Sequence, residues 1–213
     1  LGRTSDVAAF IQTDPAQANA HGAHRISILF HAALSGDTAL TDLLLDAARP
    51  IVLLEKRAPF PLSTLLAPER NEVGGFLPYS PLHVLLVNDF GSALVATSAN
   101  LSGEPVLTDN HEAETRLAPV ADAFLHHNRP IVRPADDSVY RTIARRPRPL
   151  RLGRGTAPFE LDLPFTLAQP LLAVGGHMKN TVALAWDQRM VVSPHIGDLG
   201  TLRSLEVFEQ TID

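Results

Sequence analysis

The chain has 213 residues, 45% hydrophobic and 19% charged, which is a globular composition with room for one large domain or two small ones. A formal net charge of −5 supplies no basic field to gather nucleic acid backbone, so nucleic acid is not expected as a partner. Disulfides and thiolate zinc sites are excluded by the absence of cysteine, and no apolar run is long enough to span a membrane.

No secretory pattern opens the chain, so the cytoplasm is the expected compartment. The start at Leu1 rather than Met predicts a trimmed or excised piece of a longer protein. Asp6 to Asn19 reads as a helix with a loose apolar stripe interrupted by Pro15, and Arg25 to Phe30 as a short strand. His21 and His24 lack a third ligand of the right type nearby, so no metal site is predicted. Leu40, Leu43, Leu44 and Ala47 recur at helical spacing, with Thr38 or Thr41 as cap and Pro50 as the stop. Ile51 to Leu54 then reads as a buried strand ending in Glu55, Lys56 and Arg57.

Pro81 ahead of Leu82–Val87 suits the first turn of a helix. Ala93 to Thr97 reads as a strand that presents a loop of small polar residues, Thr97, Ser98, Asn100, Ser102 and Gly103. Hydroxyls and an amide without a carboxylate suit an anionic or carbonyl-bearing ligand, although the same residues also make ordinary turns. Glu112 to Phe124 reads as a helix turning Leu117, Val120, Ala121 and Phe124 inward. Pro130–Arg133 and Ser138–Arg141 read as short strands. The Arg run from Arg145 to Arg154 fits either a solvated linker or a phosphate-facing strand or loop. Residues 153–169, rich in Gly and Pro, read as a linker. Beyond them Leu171–Val174, Thr181–Trp186 and Met190–Ser193 read as strands, with a tight turn at Asp187–Gln188, and Leu202 to Ile212 as an amphipathic helix.

Several blocks in order carry a resemblance. They are Leu77-Pro78-Tyr79-Ser80-Pro81-Leu82-His83, Thr97-Ser98-Ala99-Asn100, Asp136-Asp137-Ser138-Val139-Tyr140-Arg141, Gly175-Gly176-His177-Met178-Lys179-Asn180-Thr181 and Ser193-Pro194-His195-Ile196-Gly197-Asp198-Leu199. From about Ala48 onward the chain resembles the HypF-type carbamoyltransferases, which mature nickel–iron hydrogenases. The resemblance implies an α/β fold: a YrdC-like twisted mixed sheet with helices over residues 1–152, its N-terminal part diverged or truncated. After the 153–169 linker, residues 170–213 would be a short β-meander plus helix opening an actin-like (ASKHA) transferase domain. Three strands and a helix bury little, so this tail is expected either to dock on the first domain or to lack the rest of its own.

The family's chemistry follows as an implication of the resemblance. Carbamoyl phosphate and ATP, with Mg²⁺, would give carbamoyl-adenylate, whose carbamoyl group passes to a cysteine thiol of a hydrogenase-maturation partner protein. Positioning and charge neutralisation suffice for such a step, so no catalytic residue is singled out. Thr97, Ser98 and Asn100 match the loop that holds the acyl-adenylate. Ser138 and Arg141 match phosphate-facing positions, and Lys56 and Arg57 match a basic pair at a strand end that is equally at home in solvent. Lys179, Asn180, His195 and Asp198 match blocks bordering the transferase-domain nucleotide site. His83 fits a local hydrogen bond as readily as chemistry.

One departure concerns the family's phosphate-binding Lys-Pro segment. The corresponding region, His21 to Phe30, keeps His24 and Arg25 but has no Lys-Pro. Exchanging Lys for a neutral His removes about one charge. Two alternatives therefore stand beside the transferase. One is a non-catalytic nucleotide-binding relative; the other is a YrdC-like threonylcarbamoyl-adenylate synthase acting in tRNA modification, which the Thr-Ser-Ala-Asn loop also fits.

Overall fold

The computed structural model describes residues 38–56, 63 and 66–213; the expected N-terminal helix and strand, His21, His24, Arg25 and Arg57 lie outside them. The described residues fall into two compact units. The first runs up to Ala96 and resumes over Ser138–Leu150, and the second combines Thr97–Asp137 with Arg151–Asp213.

In the first unit, α1 (Thr38–Leu45) ends ahead of Pro50 and leads into β1 (Ile51–Glu55), as the apolar spacing predicts. Leu43 and Leu44 meet Val52 in a buried cluster against which Leu40, Leu54 and Tyr140 pack. Each fully buried aliphatic side chain contributes about 1.5–3 kcal/mol. β1 pairs antiparallel with β2 (Glu72–Gly75) and parallel with β3 (Val139–Ile143), so the sheet is mixed. Its order is completed at the edge by β4 (Arg146–Arg151), joined to β3 through Ala144 and Arg145 at φ of 51° and 60°. Two successive left-handed residues give the turn a twist matched to the hairpin. Pro147 and Pro149 on this edge strand remove N–H donors that another chain could pair with.

α2 (Pro81–Phe90) forms where Pro81 predicts it: Ser80 Oγ accepts from the His83 N–H at 3.2 Å, and Gly91 ends the helix at φ 70°. The strand expected over Ala93–Thr97 does not form. These residues take no regular structure, and Leu94 and Val95 are exposed. An apolar run becomes a strand only when a neighbour takes up its backbone groups, and no ladder is made here among the described residues.

In the second unit, α3 (Asn110–Leu117) is capped by Asp109, whose carboxylate accepts from the Glu112 N–H at 2.8 Å. It stops at Leu117 instead of reaching Phe124. Pro119 lacks an N–H to continue the helical ladder, so the helix stops ahead of it, and Val120 and Phe124 are exposed rather than inward. Pro130–Arg133 likewise forms no strand, and Val132 is exposed.

The stretch read as a linker contains a strand, β5 (Phe159–Asp162), which pairs antiparallel with β8 (Arg189–Val192). With β6 (Leu171–Ala173) and β7 (Ala183–Trp186) the sheet order is β5-β8-β7-β6, a meander with one added edge strand. The expected hairpin holds, with Trp186 opposite Arg189 across Asp187 and Gln188. α4 (Leu202–Ile212) opens on a capping box between Thr201 and Ser204. The fold is thus α/β, a mixed sheet with helices followed by a short antiparallel meander and helix.

Candidate functional site

The polar loop after Ala96 is knitted by its own amide. Ser98 Oγ donates to Asn100 Oδ1, and Asn100 Nδ2 donates to the carbonyls of Leu101 and Glu104, each at 2.9 Å. The Leu107 N–H closes the loop on the Ala99 carbonyl at 2.9 Å, with the Leu107 side chain buried. Asn100 therefore shapes the loop. Thr97 and Ser98 remain exposed as hydroxyls that a ligand could reach.

The residues expected at the phosphates lie in the first unit and are spread along its sheet. Ser138 is fully buried at the start of β3, where its carbonyl accepts from the Ile51 N–H at 2.8 Å. Lys56 sits at the other end of β1, and its ammonium donates to the carbonyls of Leu66 and Ala67 at 2.8 and 2.7 Å. Strand rise over the intervening five residues separates these ends by roughly 16 Å. Arg141 reaches diagonally across β1 to Glu72, which offsets its charge. Lys56, Ser138 and Arg141 are thus not brought into one cluster. His83 stacks edge-on against Tyr79, ring centroids 4.6 Å apart, near the helix cap.

The four tail residues do converge. Asn180 is buried, with Nδ2 donating to the carbonyls of Val174 and Gly176 at 2.9 and 2.6 Å, so it shapes the Gly-Gly loop before it. At Gly175, φ is 70° and a Cβ would lie 2.3 Å from the Thr181 carbonyl oxygen, so only glycine fits there. The backbone of Asn180 pairs with Gly197, which brings His195 and Asp198 alongside. Lys179 donates its N–H to Asp198 Oδ1 at 2.8 Å and keeps its ammonium 3.6 Å away.

His195 is held from two sides: its N–H donates to the Leu152 carbonyl at 2.8 Å, and its Nδ1 lies 2.6 Å from Asp136 Oδ2. Arg151 lies 3.7 Å from the same carboxylate oxygen and donates to the Asp137 carbonyl, while Arg154 pairs with the Asp137 side chain at 2.9 Å. Gly153 permits this close approach, since a Cβ there would stand 2.2 Å from the Asp136 carbonyl oxygen. Asp136, Arg151 and Arg154 are members of the site that the sequence does not single out. The acidic pair and the Arg run are both visible in it, but their pairing is not.

Burial pushes the Asp136 carboxyl up, yet the His195 hydrogen bond and the charges of Arg151 and Lys179 outweigh it and hold the group below its usual range. The Lys179 N–H does the same for Asp198 against a smaller burial effect. The Asp136 carboxylate faces His195 Nδ1 and fixes the orientation of the ring, with Nε2 on its far side. Nε2 and Asn180 Oδ1 are buried without a hydrogen-bond partner among the described residues. The Lys179 ammonium, exposed on this loop, can receive a ligand that carries negative charge.

Two family models match the chain. The one described as telomere recombination, the Sua5–YciO–YrdC family, covers residues 29–153, and the one described as the HypF Kae1-like domain covers residues 166–213. The chain belongs to the Sua5–YciO–YrdC family, in its HypF-type form. It is 47% identical to carbamoyltransferase HypF of Synechocystis over 80% of this chain and 22% of that protein. HypF of Rhodobacter capsulatus is 44% identical over 78% of this chain and 22% of its own length. Among solved structures, full-length HypF in a phosphate- and nucleotide-bound form superposes with a TM-score of 0.73 at 39% identity, covering 80% of this chain and 27% of that one. HypF of T. kodakarensis gives 0.73 at 36% identity, covering 81% and 22%. The chain spans about a fifth of the length of these curated HypF relatives. No helix among the described residues is long and apolar enough to cross a membrane.

Proposed function

We propose that this HypF-type chain contributes to a carbamoyltransferase of hydrogenase maturation. In this reading water cleaves carbamoyl phosphate into phosphate and carbamate, and a carbamate oxygen attacks the α-phosphorus of ATP. Pyrophosphate leaves, and the carbamoyl group of the adenylate then passes to a cysteine thiol of a partner protein in the cytoplasm. The observation that carries the reading is the order of two modules in one chain, a YrdC-type segment followed directly by a HypF Kae1-like segment. That second segment favours carbamoyl over threonylcarbamoyl chemistry.

The residues divide the work by position. Thr97 offers a hydroxyl donor on a loop fixed by Asn100, and Ser98, whose proton goes to Asn100, offers only its lone pairs. Lys179, on the loop that Asn180 shapes, would receive the transferase-side ligand through its exposed ammonium. No group of three or more His, Asp or Glu side chains that could hold a metal occurs among the described residues. Mg²⁺ usually binds through nucleotide phosphates with one or two carboxylates. Asp198, half-buried beside Lys179, would be a carboxylate to share it; when bound, the ion would neutralise phosphate charge.

The test is to incubate the protein with ATP, Mg²⁺, carbamoyl phosphate and a cysteine-bearing acceptor peptide, and to look for S-carbamoylation by mass spectrometry. Carbamoylated cysteine that depends on both ATP and carbamoyl phosphate supports the reading. Product formed only when L-threonine and bicarbonate replace carbamoyl phosphate overturns it.

A further inference from the structure

The second unit contains a charge network that ties α4 to the hydroxyl loop, although the two are far apart in sequence. Arg203 on α4 grips Glu112 of α3, with Nη1 at 2.7 and 2.8 Å from the two carboxylate oxygens. One turn on, Arg116 donates to the same carboxylate at 3.1 Å and to Glu104 at 2.9 Å. Glu104 is where the loop ends, and its carbonyl accepts from Asn100 Nδ2. All four charged side chains are mostly buried, with exposures between 18% and 32%. The Arg203 hydrogen bond is the main influence holding the Glu112 carboxyl below its usual range.

The charge balance gives this chain of contacts its direction. Two carboxylates and two guanidiniums neutralise one another, so Arg116 is free to serve Glu104 because Arg203 satisfies Glu112. Without Arg203, two carboxylates compete for one guanidinium, and the i,i+4 geometry on α3 favours Glu112. Glu104 would then lose its partner and the loop its C-terminal anchor. We infer that Arg203, acting through Glu112 and Arg116, is a positioning residue for the Ser98–Glu104 loop, so that the helix following the three strands of the Kae1-like segment sets the geometry of the YrdC-type loop. The structural half stands on the contacts alone, and its consequence for adenylate chemistry rests on the function proposed above.

The test is amide hydrogen exchange on the full chain. In Arg203→Ala, amides of Glu104 and Leu107 are expected to exchange about tenfold faster, on the scale of a lost charge-assisted bidentate pair, while those of β1 and β2 keep their rates. Arg203→Lys, which keeps the charge, should restore most of the protection. The double variant Arg203→Ala with Glu112→Gln should also restore it, since the competing carboxylate is gone. A simple tether between α4 and α3 would give the opposite result in that double variant. Loop amides unchanged in Arg203→Ala, or loosened alike in the single and double variants, would overturn the inference. In pyrophosphate–ATP exchange, Arg203→Ala should raise KM for ATP more than it lowers kcat. If loop protection responds as described but no form of the protein, including the parent, shows exchange, the proposed chemistry falls and the positioning role stands.

Discussion

His195 Nδ1 lies 2.6 Å from Asp136 Oδ2, joining residues 59 positions apart. The contact links the acidic pair before β3 to the loop after β8, and Arg151 braces it from a third side. Its geometry makes Asp136 the group that fixes the imidazole's tautomer and orientation. A double-mutant cycle with Asp136→Asn and His195→Ala should return a coupling energy of about 1–3 kcal/mol, as for residues within one hydrogen-bonded network. Additive effects on urea denaturation would show that the pair does not act as a unit.

Gly153→Ala should destabilise the second unit by about 1–3 kcal/mol, because the new methyl meets the Asp136 backbone rather than a side chain that can move aside. Gly176→Ala is the control, since a Cβ there meets nothing within 4 Å. Thermal unfolding of the two variants side by side checks this; equal midpoints would remove the argument for close approach at Gly153.

Asn100→Ala removes both donors that hold the loop and the acceptor for Ser98. Calorimetric affinity for ATP or an acyl-adenylate analogue should fall by about 1–3 kcal/mol, the scale of a lost buried hydrogen bond. The same affinity in variant and parent would mean that the loop does not meet the nucleotide.

The pH dependence follows from three carboxyls. Asp136, Asp198 and Glu112 all sit below their usual range in the folded protein. Their stabilising contribution is therefore complete above the unfolded-state values of about 4 and is lost as pH falls through the lower folded-state values. Urea midpoints should be flat from neutral pH to about 5 and fall steeply below 4. A midpoint that holds at pH 3 would contradict the ion-pair assignments.

Local signals carried much of the fold in the sequence. Pro81 marks its helix start, and the apolar spacing of Leu40, Leu43 and Leu44 marks a buried face, because helix-start signals and periodicity act within a few residues. Ala93–Thr97 and Pro130–Arg133 failed as strands because pairing depends on what lies beside them, which apolar content does not encode. Pro119 was visible, and its power to end α3 outweighed the apolar spacing beyond it. At the site, the resemblance marked Asn100 and the group Lys179, Asn180, His195 and Asp198, but not that Asn100 spends its amide on its own loop, which depends on backbone carbonyls that the motif does not display. The partnership of His195 with Asp136 was not marked either, because it joins residues 59 positions apart through tertiary packing that no local pattern encodes.

The central claim is tested most directly by carbamoyl-phosphate-dependent exchange of labelled pyrophosphate into ATP with Mg²⁺ present. The account predicts exchange that requires carbamoyl phosphate and is reduced in Asn100→Ala. A folded sample that binds ATP and shows no exchange would contradict it.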